Sequence, residues 1–133
     1  MPNKSKKVYV TLSADILHEG HINILKVASK YGKVTVGLLT DKAICRYKRI
    51  PHLDFEERTK IVSKLKYVDQ VVPQSSLDHT KNLIKYKPEY VVHGNDWKKG
   101  ILKKTRTQVI NVLKKWNGKL IEPKYTLNFS KKK

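Results

Sequence analysis

His18 and His21 stand three residues apart, separated by Glu19 and Gly20. They occupy the seam between a β-branched and aromatic run, Lys7-Val8-Tyr9-Val10-Thr11-Leu12, and an amphipathic stretch, Ile22 to Tyr31. At a helix start, residues three apart point the same way. Both imidazoles would therefore lie beside the unsatisfied N–H groups and partial positive charge of the helix end. That combination binds phosphate, and Gly20 lets the backbone come close to a bulky anion. A zinc site is not supported: the chain has a single cysteine, Cys45, and no obvious third ligand near the two histidines.

Two more groups have residue types suited to phosphate or nucleotide chemistry. Arg58, in Asp54-Phe55-Glu56-Glu57-Arg58-Thr59-Lys60, offers a planar fork of donors that suits a phosphate, or an exposed helix salt bridge with Asp54. Gly94-Asn95-Asp96-Trp97 offers a carboxylate and a flat aromatic face that could stack on a base, hold an ammonium group, or simply form a turn with a half-buried tryptophan.

The elements that must position these residues alternate along the chain. Lys7–Leu12 and Lys33–Leu39 read as strands, followed by a short strand Asp69–Pro73 ending at proline, then Tyr90–His93 and Lys119–Glu122. Between them, Asp54 caps a helix from Phe55 to about Tyr67, Ser76 or Asp78 opens one running to about Tyr86 before Pro88, and another runs from about Lys103 to Trp116, closed by Asn117-Gly118. This order predicts an α/β fold: a five-stranded parallel Rossmann-like sheet with helices on both faces. Ligands in such sheets bind beyond the carboxyl ends of the strands, where His18, Asn95 and Thr126 can converge.

The chain has 133 residues, which suits a single domain spanning 1–133, with Ser130–Lys133 expected to fray. No apolar run is long enough to span a bilayer, and the charged N-terminus leads straight into a strand, so no membrane partner is expected and a cytoplasmic location is the default. The net charge is +18, carried mostly by lysines scattered over nearly every segment. Base readout would favour arginine, and single-strand binding would favour aromatics set among the charges. Neither pattern stands out, so non-specific attraction to polyanions is expected and specific nucleic-acid binding is not.

Ser13-Ala14-Asp15-Ile16-Leu17-His18-Glu19-Gly20-His21 resembles the signature of the cytidylyltransferase family of small nucleotidyltransferases, which carries an HxGH motif after its first strand. The resemblance extends from about Lys7 to Thr126. Within the family it looks most like the cytidylyltransferase domain that accompanies phosphoenolpyruvate mutase, through Ser13–Asp15, Gly37–Ala43, Tyr47–Arg49 and Ile121–Thr126, and it is kin to the glycerol-3-phosphate enzyme. The resemblance implies transfer of CMP from CTP to a small phosphate or phosphonate acceptor, phosphocholine or 2-aminoethylphosphonate among them, with pyrophosphate leaving. It assigns His18 and His21 to the phosphates, and Lys48 and Arg58 to neutralising the triphosphate. Ser13, Ala14, Asp15, Gly20, Gly94, Asn95, Asp96, Trp97, Thr126 and Ser130 would line the nucleotide site. Asp15 would shape the first loop or cap the helix, and Lys48 would otherwise sit in a solvated basic loop, Arg46–Arg49.

The resemblance further implies magnesium carried by CTP, with no metal site of the protein's own, and the family often forms homodimers. Trp97 and Tyr125 would offer aromatic faces to an amine on the acceptor. Asn95, Asn128 and Lys131 depart from the family pattern, standing respectively for a carboxylate, a glycine and a hydroxyl residue. The competing readings are an adenylyltransferase of the same superfamily and a catalytically impaired nucleotide- or RNA-binding module.

Overall fold

Strand β1, Lys7–Leu12, shows why the sheet is covered on both sides. Val8, Val10 and Leu12 point to one face and Tyr9 to the other, following the period-two alternation of a strand. The computed structural model describes residues 5–47, 50–98 and 100–124, the side chains of Tyr47, Asp96 and Ile101 apart. Strands β1, β2 (Lys33–Leu39), β3 (Gln70–Gln74), β4 (Tyr90–Val92) and β5 (Lys119–Ile121) form one sheet in the order β3-β2-β1-β4-β5, and every pairing is parallel. The predicted architecture is therefore the observed one. Because every strand is parallel, the carboxyl ends of β1, β2 and β4 share one rim, and the order reverses at β1, the place where open sheets of this kind bind ligands.

Helix α1, Glu19–Ser29, buries Gly20, Ile24, Leu25 and Ala28, a single face at helical spacing. It packs with the Val62 face of α3, Phe55–Ser63, over Val8, Val10, Val34 and Val36. On the opposite face, α4 (Thr80–Tyr86) and α5 (Lys103–Leu113) bring Leu83, Val109, Val112 and Leu113 against Tyr9, Val72 and Val91. Among the described residues no helix is long and apolar enough to cross a membrane.

Helix α5 ends at Leu113 and passes into a 3₁₀ turn, Lys114–Trp116, and three further boundaries differ from expectation. Asp41–Tyr47 forms a helix, α2, whose Ala43 and Ile44 pack on Leu39, so Arg46 and Tyr47 end a helix rather than open a basic loop. Lys48 and Arg49 lie outside the described residues. Helix α3 stops at Ser63 instead of about Tyr67, because Lys64 caps it and Leu65 and Val68 turn back through hydrogen bonds to Val62 and Leu65. Helix α4 begins at Thr80. There the Asp78 carboxylate accepts the backbone N–H and the hydroxyl of Thr80, a local turn that competes with an earlier helix start.

Tyr9 needs a gap in the neighbouring strand. A Cβ built on Gly37 would lie 1.8 Å from the Tyr9 hydroxyl, so only glycine leaves room for the phenol. That hydroxyl donates to Gln74 Oε1 at 2.6 Å and accepts from Asn82 Nδ2 at 2.8 Å. Burial pushes the phenol's pKa up, which keeps it protonated and able to donate. Thr11 Oγ1 donates to the same Gln74 oxygen at 3.0 Å. One buried network thus joins β1, β3 and α4 beneath the ligand rim.

Candidate active site

The first turn of α1 is closed by the two histidines themselves. His18 is the N-cap residue, with extended backbone, and its Nδ1 accepts the Gly20 N–H at 3.0 Å. His21 Nδ1 reaches back to accept the His18 N–H at 3.1 Å. This is the reciprocal arrangement that Ser and Glu usually make at a helix start, here built from imidazoles. The ring centroids are 4.1 Å apart with planes tilted by 40°. A ring nitrogen that accepts a backbone N–H carries no proton, so in each neutral imidazole the proton sits on Nε2. The capping bonds therefore fix both tautomers, and both Nε2–H groups become donors suited to an anion at the helix end.

The loop that leads into this turn is held in an uncommon shape. Ala14 has a φ of 55°, in the left-handed region, and is buried. Its neighbours are fixed on both sides. The Ser13 carbonyl accepts from Arg58 Nη1 at 2.7 Å, and Asp15 Oδ1 accepts the backbone N–H groups of His52 and Leu53 at 2.7 and 3.2 Å. Asp15 thus clamps the segment before α3, and the helix cap is His18.

Arg58 lies under the site and not on its surface, with 0% of its residue area exposed. Its Nε donates to Leu53 O at 2.9 Å, Nη1 to Ser13 O and Leu39 O at 2.7 Å each, and Nη2 to Asp41 at 2.6 Å. Four apart from Val62 on the buried face of α3, it ties together the chain leaving β1, the end of β2 and the start of α2. Asp54, the alternative partner in the sequence, instead caps α3 by accepting Glu57 N–H at 2.9 Å.

At the end of β4, Gly94 is buried and Asn95 begins a 3₁₀ turn, Asn95–Lys98. Trp97 is buried, and one of its faces is covered by His93, stacked at 3.6 Å and 3°. Its indole N–H donates to Glu122 at 2.7 Å, and Glu122 also receives a two-point contact from Arg106 at 2.7 and 3.0 Å. The Arg106 hydrogen bonds hold the Glu122 carboxyl below the usual range. The tryptophan is therefore a wall, not an open platform. Parallel pairing brings His18, His21, Ser13, Asp15, Gly94, Asn95 and Trp97 to one rim, whereas Thr126, Ser130 and Tyr125 lie outside the described residues with Lys48.

Sequence reasoning missed His79 and the part His93 plays. His79 sits among turn residues with no motif around it, and His93 reads as the end of a strand, just before the Gly94–Trp97 group. The only signal was a histidine directly after Asp78 at a helix start, which reads equally well as a loop residue. Burial leads, and the nearby His93 adds, in pushing the His79 pKa down to about 4, so the ring is neutral at physiological pH.

Residues 13–131 match the family model described as cytidylyltransferase-like. The chain is 40% identical over 84 residues to ethanolamine-phosphate cytidylyltransferase of Mus musculus, covering 62% of this chain and 21% of that one. It is 31% identical over 94 residues to glycerol-3-phosphate cytidylyltransferase of Bacillus subtilis, covering 69% and 73%. It is also 38% identical over 86 residues to an FAD synthase of Methanopyrus kandleri, covering 62% and 57%. The chain thus spans about a fifth of the mouse relative and somewhat over half of the archaeal one. The crystal structure of the lipopolysaccharide core biosynthesis protein from Thermoplasma volcanium GSS1 superposes with a TM-score of 0.76 at 29% identity, over 91% of this chain and 98% of that one. The match spans nearly the whole sequence and includes the histidine-capped turn, and by it the chain belongs to the cytidylyltransferase-like family.

Proposed function

We propose that the protein is a cytidylyltransferase that moves CMP from CTP, travelling with magnesium, onto a small acceptor bearing a phosphate or phosphonate. The observation that carries this reading is the pair of Nε2–H donors fixed at the first turn of α1, in a chain of this family. In the reaction an acceptor oxygen attacks the α-phosphorus. The bond from that phosphorus to the bridging oxygen breaks, and pyrophosphate leaves with the electron pair. The attacking oxygen is already anionic at neutral pH, so the protein's contribution is positioning and charge stabilisation.

His18 and His21 donate to oxygens of the α- and β-phosphates as charge moves toward the bridge. Arg58 acts through the loops it holds, and Lys48, Thr126 and Ser130 complete the triphosphate site. Gly94, Asn95, Asp96 and Trp97 border the nucleotide and acceptor. The similarity to FAD synthases supports a second reading, adenylyl transfer from ATP on the same scaffold.

The test combines two measurements. Pyrophosphate release from CTP should depend on phosphoethanolamine, glycerol-3-phosphate or 2-aminoethylphosphonate. Magnesium CTP near saturation should raise the melting temperature by several degrees, and more than ATP does, because the cognate nucleotide stabilises by mass action. A larger shift with ATP, together with ATP-dependent pyrophosphate release, would move the reading to adenylyl transfer.

A further inference from the structure

A cavity of about 80 Å³ opens at the carboxyl ends of the strands, lined by Thr11, Ser13, His79, His93, Trp97 and Thr105 together with three leucines. His79 Nδ1–H donates to the Leu77 carbonyl at 2.9 Å, so its Nε2 carries a lone pair. His79 is 3% exposed, and among the described residues no donor reaches that nitrogen. Thr11 sends its hydroxyl proton to Gln74, and His93 donates Nδ1–H to the Gly94 carbonyl at 2.8 Å. His79 Nε2 therefore offers the cavity an acceptor, whereas the α1 turn supplies Nε2–H donors. A buried acceptor left without a donor is costly, and proteins keep one where an ordered water or a ligand completes it.

Resting on the transferase reading above, we infer that this cavity seats the end of the acceptor remote from its phosphate, and that His79 Nε2 selects an end group bearing an N–H or O–H donor. The volume corresponds to roughly two or three water molecules. A primary ammonium or a hydroxyl on a short stem fits that space. A trimethylammonium group has no hydrogen to give to that nitrogen. Among the described lining residues none is a carboxylate that would favour a quaternary cation by charge alone.

The experiment compares four acceptors with CTP and magnesium: glycerol-3-phosphate, phosphoethanolamine, phosphocholine and n-propyl phosphate. The first two should exceed the last two in kcat/KM by about a hundredfold, and which of the first two leads distinguishes a hydroxyl from an amine. In His79→Leu that preference should collapse to within a few fold while the thermal shift by CTP persists. His79→Gln, which offers an oxygen near the same place, should recover part of it. Nitrogen-15 spectra of the His79 ring provide a readout without turnover: the Nε2 resonance should move with glycerol-3-phosphate or phosphoethanolamine and stay still with n-propyl phosphate. Comparable use of n-propyl phosphate or phosphocholine, or an Nε2 resonance unmoved by every acceptor, overturns the inference. Absence of any CTP binding or pyrophosphate release would overturn the transferase reading instead, and the ring resonance would still decide whether the cavity binds a donor.

Discussion

At the first turn of α1 each imidazole uses Nδ1 to close the helix start, and substitutions can separate that role from the one proposed for Nε2. His18→Ala and His21→Ala should each lower turnover by roughly a hundredfold or more, the scale of losing one preorganised donor. Each should also cost about 1 kcal/mol of stability, because a capping bond is lost as well. His18→Asn and His21→Glu keep side chains that cap well, so unfolding curves should recover while turnover does not. Activity that recovers with the cap would assign the histidines to the helix alone. His79 makes a different residue-scale prediction. Its pKa is lower in the folded chain than unfolded, so the unfolded state takes up the proton first, and stability is full above about pH 6.5 and declines as pH falls toward 4. The total is on the order of 3 kcal/mol. Denaturant midpoints measured between pH 7 and 4 should fall more steeply for the wild type than for His79→Gln.

The elements were the most legible part of the sequence. β1 and β2 alternate or run apolar in a way that only a strand buries well, and the observed strands agree with the reading to within a residue at most ends. α2 was missed because Asp41–Tyr47 is two turns of mixed polarity, too short for a helical period to show, with Ala43 and Ile44 buried among its described side chains. Arg58 was legible as a site-region residue, but its partners were not. Sequence spacing offers Asp54 one turn away, while the fold supplies two strand-end carbonyls and Asp41 from elsewhere in the chain. Arg58→Lys removes the fork that reaches these oxygens, and should cost roughly 2–4 kcal/mol in denaturant unfolding because buried acceptors lose their donors. An arginine acting mainly on phosphate would instead raise the KM for CTP with stability unchanged. Gly37→Ala tests β2 in the same way. The added methyl collides with the Tyr9 phenol, so a loss of about 1–3 kcal/mol or more is expected, with partial recovery in a Tyr9→Leu background.

Over the whole molecule the dominant property is charge. A net +18 on a chain of 133 residues gives a field that draws anions in general. Mixed-sequence RNA should therefore bind at low salt without sequence preference and be released between roughly 50 and 200 mM salt, as counterion release requires. For CTP the same field should act on encounter, so kcat/KM should fall with ionic strength while kcat holds. A salt-resistant complex with one RNA sequence would overturn that reading. The charge was plain in the sequence. What the sequence concealed is that the first turn of α1 and the cavity beside His79 present imidazoles of opposite tautomer, because tautomers are set by backbone partners that only the fold brings near.

The packing around Trp97 also gives the protein a built-in optical reporter. The chain has two tryptophans, and they occupy unlike surroundings. Trp97 is sealed against His93, bonded to Glu122 and set in the cavity wall, whereas Trp116 is only partly buried and donates to the Pro88 carbonyl at 2.7 Å, beyond the far end of α5. In a Trp116→Phe variant, the remaining emission comes from the indole that borders the cavity. An acceptor entering there changes the polarity beside that ring directly, so its arrival can be followed by intensity and wavelength in real time, with no label and no turnover.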